Sequence, residues 1–123
     1  MLELAKTNKQ ISVVSDQIGS PTNANYLVRF ILKIIPKIKN NNVELFHFCN
    51  TGYCSWYEFA KEIFKINNID TKLLIPVSSN KYPTRLKRPN FSVLSSDKIK
   101  NKYKFAIPSW MDALKDNFEL VNE

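Results

Sequence analysis

Apolar residues along this chain recur with two different periods, and the switches between them divide it into alternating elements. Residues 1–6 read as the last turns of a helix. Residues 11–15, rich in β-branched side chains, predict a short strand that runs into a polar turn over 16–21. Thr22 is placed to cap a helix whose apolar positions Leu27, Phe30, Ile31, Ile34, Ile35 and Ile38 follow helical spacing, so it reads as a core-packing helix that Pro36 kinks or ends. Asn40, Asn41 and Asn42 make a turn, and residues 43–49 predict a strand with apolar side chains on both faces.

Gly52 then breaks the chain, and Ser55-Trp56-Tyr57-Glu58 has the spacing of a capping box at the head of a helix reaching Asn67. Trp56, Phe59, Ala60 and Ile63 would be its buried stripe. Residues 73–77 predict a third strand, followed by a long polar loop over 78–90, an extended piece over 91–94 and a short helix capped by Ser95. A last helix starts at Ser109, with Asp112 three positions on, and buries Trp110, Leu114, Phe118 and Val121. The alternation predicts an α/β fold: a small mixed sheet with flanking helices.

The chain has 123 residues, 44% of them hydrophobic, which suits one domain over 1–123 and is too short for a two-domain enzyme. No stretch approaches the roughly 20 consecutive apolar residues of a membrane span, and the first residues lack a signal-peptide layout, so a soluble, cytoplasmic protein without membrane contact is expected. The formal net charge of +7 comes mostly from lysines scattered among asparagines and isoleucines, with no stripe interleaved with aromatics. Nucleic acid is therefore not the expected partner, although a mild pull on anions remains.

Cys49 and Cys54 have neither redox nor zinc spacing and read as free thiols. His47 is the sole histidine, so no histidine-based metal cluster can form, and it reads as structural beside Phe46 and Phe48.

Only two glycines occur, Gly19 and Gly52, so neither a G-x-G-x-x-G turn nor a P-loop can be written, and no cofactor site is expected in this chain alone. Tyr57 and Lys61 form a Y-x-x-x-K pattern, but it lies in the first turn after a capping box with no cofactor site before it. A packing tyrosine and a solvated lysine account for it, which leaves no catalytic residue. Only three of the eighteen basic residues are arginines, and two of them, Arg85 and Arg88, fall with Lys87 in the proline-containing loop. Guanidinium forks match phosphate oxygens, so this loop suits a diphosphate; the alternative is an exposed loop with solvated charges. In the turn before the first helix, Gln17, Ser20 and Thr22 carry amide and hydroxyl groups of the kind that read a base or a sugar, or simply close a turn and cap a helix.

Four blocks, taken in order, resemble the family of dTDP-4-dehydrorhamnose reductases. They are Val13-Val14-Ser15-Asp16-Gln17-Ile18-Gly19-Ser20-Pro21-Thr22, Ser55-Trp56-Tyr57-Glu58-Phe59-Ala60, Arg88-Pro89-Asn90-Phe91-Ser92-Val93-Leu94, and Trp110 with Ala113-Leu114. The resemblance implies an extended short-chain dehydrogenase that reduces dTDP-4-dehydro-L-rhamnose at C4 with NADPH, in dTDP-rhamnose biosynthesis. It further implies that this chain is the carboxyl-terminal substrate-binding part. The Rossmann half, with the glycine-rich NADPH site and the catalytic Ser/Thr, Tyr and Lys, would be absent and this chain alone inactive.

Arg88 is then the first choice for a phosphate contact, with Arg85, Gln17, Ser20, Thr22 and Asn90 as the other substrate-binding candidates. Many relatives have paired arginines before the proline, whereas Lys87 precedes Arg88 here and keeps the charge without the fork. The implied partners are a dTDP-sugar and either a separate Rossmann-domain chain or a second copy. Two rivals are a regulatory module related to the β subunit of methionine adenosyltransferase and a truncated remnant without independent function.

Overall fold

The computed structural model describes residues 1–39, 42–81 and 86–121. They fall into two compact units, one made of Met1–Gly19 and Tyr53–Val93, the other of Ser20–Gly52 and Leu94–Glu123.

The first unit holds helix α1 (Leu2–Thr7), strands β1 (Ile11–Val14) and β2 (Ile18–Gly19), strand β3 (Cys54–Ser55), helix α3 (Trp56–Ile66) and strand β4 (Leu74–Val77). β1 and β4 pair in parallel, Ile11 opposite Leu74 and Val14 opposite Val77, while β2 and β3 form a two-residue antiparallel pair. The strands thus form two small two-stranded sheets, one parallel and one antiparallel, flanked by helices, within the α/β class that the alternation of elements predicts. β2 lies inside what reads in the sequence as a polar turn, and β3 inside the expected glycine break. Two-residue strands carry too little periodicity to be seen in a sequence.

α3 forms where the capping box predicts it. The Glu58 amide donates to Ser55 Oγ at 3.1 Å, and the Glu58 carboxylate accepts from the Ser55 amide at 2.7 Å. The helix buries Ala60 and Phe64, one turn apart, against Ile11 and Leu74, with Tyr57 and Ile63 packed around them. Trp56 departs from the expected stripe. It opens the helix and stays 52% exposed.

The second unit holds α2 (Ala24–Ile34), α4 (Asp97–Tyr103) and α5 (Trp110–Val121). Its core is aromatic: Phe30 meets Phe48 at 5.3 Å and Phe105 at 5.3 Å between ring centroids, with Ile99 and Ile107 buried beside them. The cap of α2 is Asn23 rather than Thr22, because Asn23 Oδ1 accepts from the Asn25 amide at 2.8 Å. α2 ends at Ile34, and Pro36 sits in a short 3-10 turn, Ile35–Lys37.

Phe30 alone is buried on α2, while Val28, Ile31, Leu32, Ile35 and Ile38 are exposed, so the core-packing role predicted for this helix holds only along one edge. The predicted strand over 43–49 is not one either. The alternation is present, Phe46 and Phe48 facing in and Leu45 and His47 out. Side chains, however, meet some of its backbone groups in place of a neighbouring strand: Lys98 donates to the Leu45 carbonyl at 2.8 Å, and Ser96 Oγ accepts from the Cys49 amide at 3.0 Å. His47 is exposed rather than packed.

Asn50 is fully buried and links the segments of this unit, accepting from the Asn23 amide at 2.8 Å and donating to the Pro108 carbonyl at 3.3 Å. Gly52 has a φ of 84°, and a Cβ there would meet the Trp110 ring at 3.1 Å. Both the turn and the close approach require glycine. Among the described residues no helix is long and apolar enough to cross a membrane.

Phe64 is wholly buried at the centre of the first unit's core. Phe64→Ala is expected to lower the unfolding free energy by about 3–5 kcal/mol, and Trp56→Ala by less than about 1 kcal/mol, in guanidinium chloride denaturation. Equal losses would contradict the burial described.

Candidate functional site

The first unit brings together two of the segments singled out in the sequence. Ile18 donates its amide to the Asn90 carbonyl at 2.7 Å and accepts from the Ser92 amide at 2.9 Å, so the backbone of β2 bonds to a segment 74 residues away. On its other side β2 pairs with β3. Gln17 leads into this lattice from one end, half-buried, and the exposed Arg88 and Asn90 lead into it from another. Arg85 lies outside the described residues.

Asp16 anchors the other end of the long loop. Its carboxylate accepts from the Ser79 amide at 2.9 Å, from Ser78 Oγ at 3.0 Å and from Ser79 Oγ at 3.0 Å. The Ser79 amide is the main reason why the Asp16 carboxyl is held below the ordinary carboxylate range, and the two hydroxyls act in the same sense. The loop beginning at Ser78 therefore departs from Asp16 and returns to Ile18, two residues further on. Asp16 read in the sequence only as a turn residue. Its partners could not be found there, because the parallel pairing of β1 with β4 is what sets Ser78 beside it.

Two exposed aromatics complete the surroundings. Tyr53 and Phe91, each 64% exposed, meet edge to face with ring centroids 6.3 Å apart. Tyr53 immediately precedes β3, and Phe91 bridges Ile18 in parallel. Sequence reasoning named neither as a site residue, since nothing in a lone tyrosine or a strand phenylalanine signals pairing.

The remaining candidates belong to the second unit. Ser20 Oγ donates to the Gly52 carbonyl at 3.0 Å, and Thr22 Oγ1 donates to the Ser20 carbonyl at 3.1 Å. Both hydroxyl protons thus close turns, and only oxygen lone pairs are left for a ligand. This unit also carries a cavity of about 430 Å³ lined by Lys37, Lys39, Glu44, Phe46, Lys102 and Tyr103 among others. Its hydrogen bond with Lys102 lowers the Glu44 pKa and raises that of Lys102. None of the described substrate-binding candidates lines it.

Tyr57 packs against the first unit's core, and Lys61, expected to be solvated, is half-buried. Burial, with the Glu58 charge, pushes the Cys54 thiol up to about 12, so it is no nucleophile at neutral pH.

A family model described as the RmlD substrate binding domain matches residues 1–122. The chain belongs to this family, that of the dTDP-4-dehydrorhamnose reductases. The SpsK spore coat polysaccharide biosynthesis protein of Bacillus subtilis strain 168 is 40% identical over 95 residues, covering 77% of this chain and 32% of that protein. The dTDP-4-dehydrorhamnose reductase of Escherichia coli strain K12 is 30% identical, covering all of this chain and 42% of the enzyme.

Among solved structures, the Clostridium acetobutylicum reductase superposes with a TM-score of 0.88 at 35% identity, covering 99% of this chain and 42% of that one. The Bacillus anthracis reductase, solved in complex with NADP, gives 0.81 at 36% identity, with 95% and 40% covered. The chain thus spans about a third to two fifths of the length of these members of the RmlD substrate-binding family.

Asp16→Ala is expected to speed tryptic cleavage after Lys81 and Lys87 several-fold, because the loop loses its anchor. Asp16→Asn, which keeps a carbonyl for the Ser79 amide, should cut at a rate close to the wild type. Identical cleavage in all three proteins, followed by mass spectrometry, would show that the carboxylate does not hold the loop.

Proposed function

We propose that this chain is the sugar-nucleotide-binding part of a dTDP-4-dehydrorhamnose reductase and holds the dTDP-sugar while NADPH reduces its C4 ketone. The observation that carries the reading is the lattice on β2, which sets the Gln17 turn beside the segment entered through Arg88 and Asn90. The family match supports the class of ligand. Arg88 is the first diphosphate contact, Gln17 and Asn90 present amides to the nucleotide, and Arg85 is the further candidate on the same loop; Ser20 and Thr22 are separate candidates on the second unit. The part played by this chain is binding and orientation, which by itself lowers a barrier substantially. Proton transfer belongs elsewhere, since Tyr57 is committed to packing.

The family's dinucleotide does not fit the described residues of this chain. Gly19 is paired in β2, where a Cβ would meet Ser92 Oγ at 3.2 Å, and Gly52 is closed by Trp110. The amino terminus of α3 is occupied by the Glu58 carboxylate, which would repel a pyrophosphate there. The cofactor-binding and catalytic groups would come from a Rossmann-type part, on another chain or in the same protein. The exposed apolar residues of α2 and the turn after it, Val28, Leu32, Ile35 and Ile38, support a covering partner or a second copy, since patches of this kind mark contact surfaces.

Titration with dTDP by calorimetry tests the reading. Arg88→Ala should weaken dTDP binding by about ten- to a hundredfold, the worth of a charge-assisted hydrogen bond, and Arg88→Lys should recover only part of the loss. NADPH should produce no heat. Unchanged dTDP affinity in Arg88→Ala would make the loop a solvated surface, and a dominant effect of Arg85→Ala would move the contact along the same loop.

A further inference from the structure

We propose that the exposed Tyr53–Phe91 ring pair is the platform on which the nucleobase of the bound nucleotide stacks; this rests on the reading of the chain as a sugar-nucleotide binder. Large aromatic rings normally bury most of their area, and leaving two of them 64% exposed side by side forgoes that gain. Their placement is firm all the same. Phe91 is tied by its backbone neighbours to both hydrogen-bonding groups of Ile18, and Tyr53 is carried on the opposite flank of β2 by the pairing of Cys54 with Gly19. The rings reach towards each other from either side of that strand and meet at 6.3 Å with an interplanar angle of 63°. An edge-to-face pair leaves a ring face open, and every base offers a π-face to such a surface.

The spacing fits a nucleoside diphosphate. Arg88 and Phe91 are three residues apart, at most about 10 Å along an extended chain, which is the reach between a base and its diphosphate. Pro89 stiffens the link. The same short segment would then carry the phosphate contact and the base contact, one at each end. Gln17, immediately before Ile18, lies at the edge of the same lattice and supplies an amide for the rim of a base.

The test compares dTDP with inorganic pyrophosphate on the full chain, in the wild type and in Phe91→Ala, Phe91→Leu, Phe91→Tyr and Tyr53→Ala. The wild type is expected to bind dTDP more tightly than pyrophosphate. Phe91→Ala should weaken dTDP about five- to a hundredfold, the worth of one stacked base, and leave pyrophosphate within about twofold. Phe91→Tyr should restore dTDP affinity, whereas Phe91→Leu, apolar but without a ring face, should not.

Saturation-transfer NMR on the wild type gives a readout independent of the variants, in which the thymine H6 and methyl protons should receive more saturation than the deoxyribose protons. Parallel losses for both ligands, or full rescue by leucine, would overturn the platform. A wild type that binds pyrophosphate and dTDP equally well would also sink it while leaving the diphosphate reading intact. A wild type that binds neither would sink the nucleotide reading and the platform with it.

Discussion

The backbone of Ile18 has one amide and one carbonyl, and both are bonded to the segment around Phe91, while the other flank of β2 pairs with β3. The candidate site depends on this two-sided use of a two-residue strand. A strand so short contributes little by itself, and its geometry is enforced from outside: Ser15 extends the β1–β4 ladder by bonding to the Val77 carbonyl at 3.0 Å, and Asp16 fastens the next turn to Ser78 and Ser79. Five consecutive residues, 15–19, therefore serve as an anchor for three segments distant in sequence. Loops between these anchors can vary while their ends stay in place.

The two units reach stability by different means. In the first, aliphatic side chains on α3 and the parallel strand pair close a small core around Phe64. In the second, ring packing around Phe30 combines with polar crosslinks, of which the wholly buried Asn50 is the central one. A buried amide that makes good hydrogen bonds specifies which segments meet, something that interchangeable apolar contacts do less well. Ser96 has a comparable role, its hydroxyl taking the Cys49 amide and giving to the Cys49 carbonyl. These side chains replace the strand ladder that the apolar alternation over 43–49 suggested.

Much was determined by the sequence alone, and for local reasons. Ser55 and Glu58 capped α3 because a capping box needs only four residues, and the β-branched runs at 11–14 and 74–77 became strands. Two glycines are too few for a dinucleotide turn, and four blocks in order pointed to the family that residues 1–122 match. The loop carrying Arg88 and the turn carrying Gln17 were both legible as candidates because polar residues beside proline and glycine stand out locally.

Only the tertiary structure decided which candidates meet. Asp16 became the loop's anchor because a parallel ladder brought Ser78 to it, and Tyr53 met Phe91 because both flank β2, a strand too short to leave a periodic trace. The same limit explains the errors. Helical spacing over α2 and the turn after it predicts which face is apolar but not whether anything covers it, so Ile31 and Ile35 read as core and stand exposed. Alternation over 43–49 predicts which side chains point inward but not whether a neighbouring strand exists to pair with the backbone. Local sequence sets conformation through sterics and short-range hydrogen bonds. Burial and pairing are properties of two surfaces, and the second surface is not written beside the first.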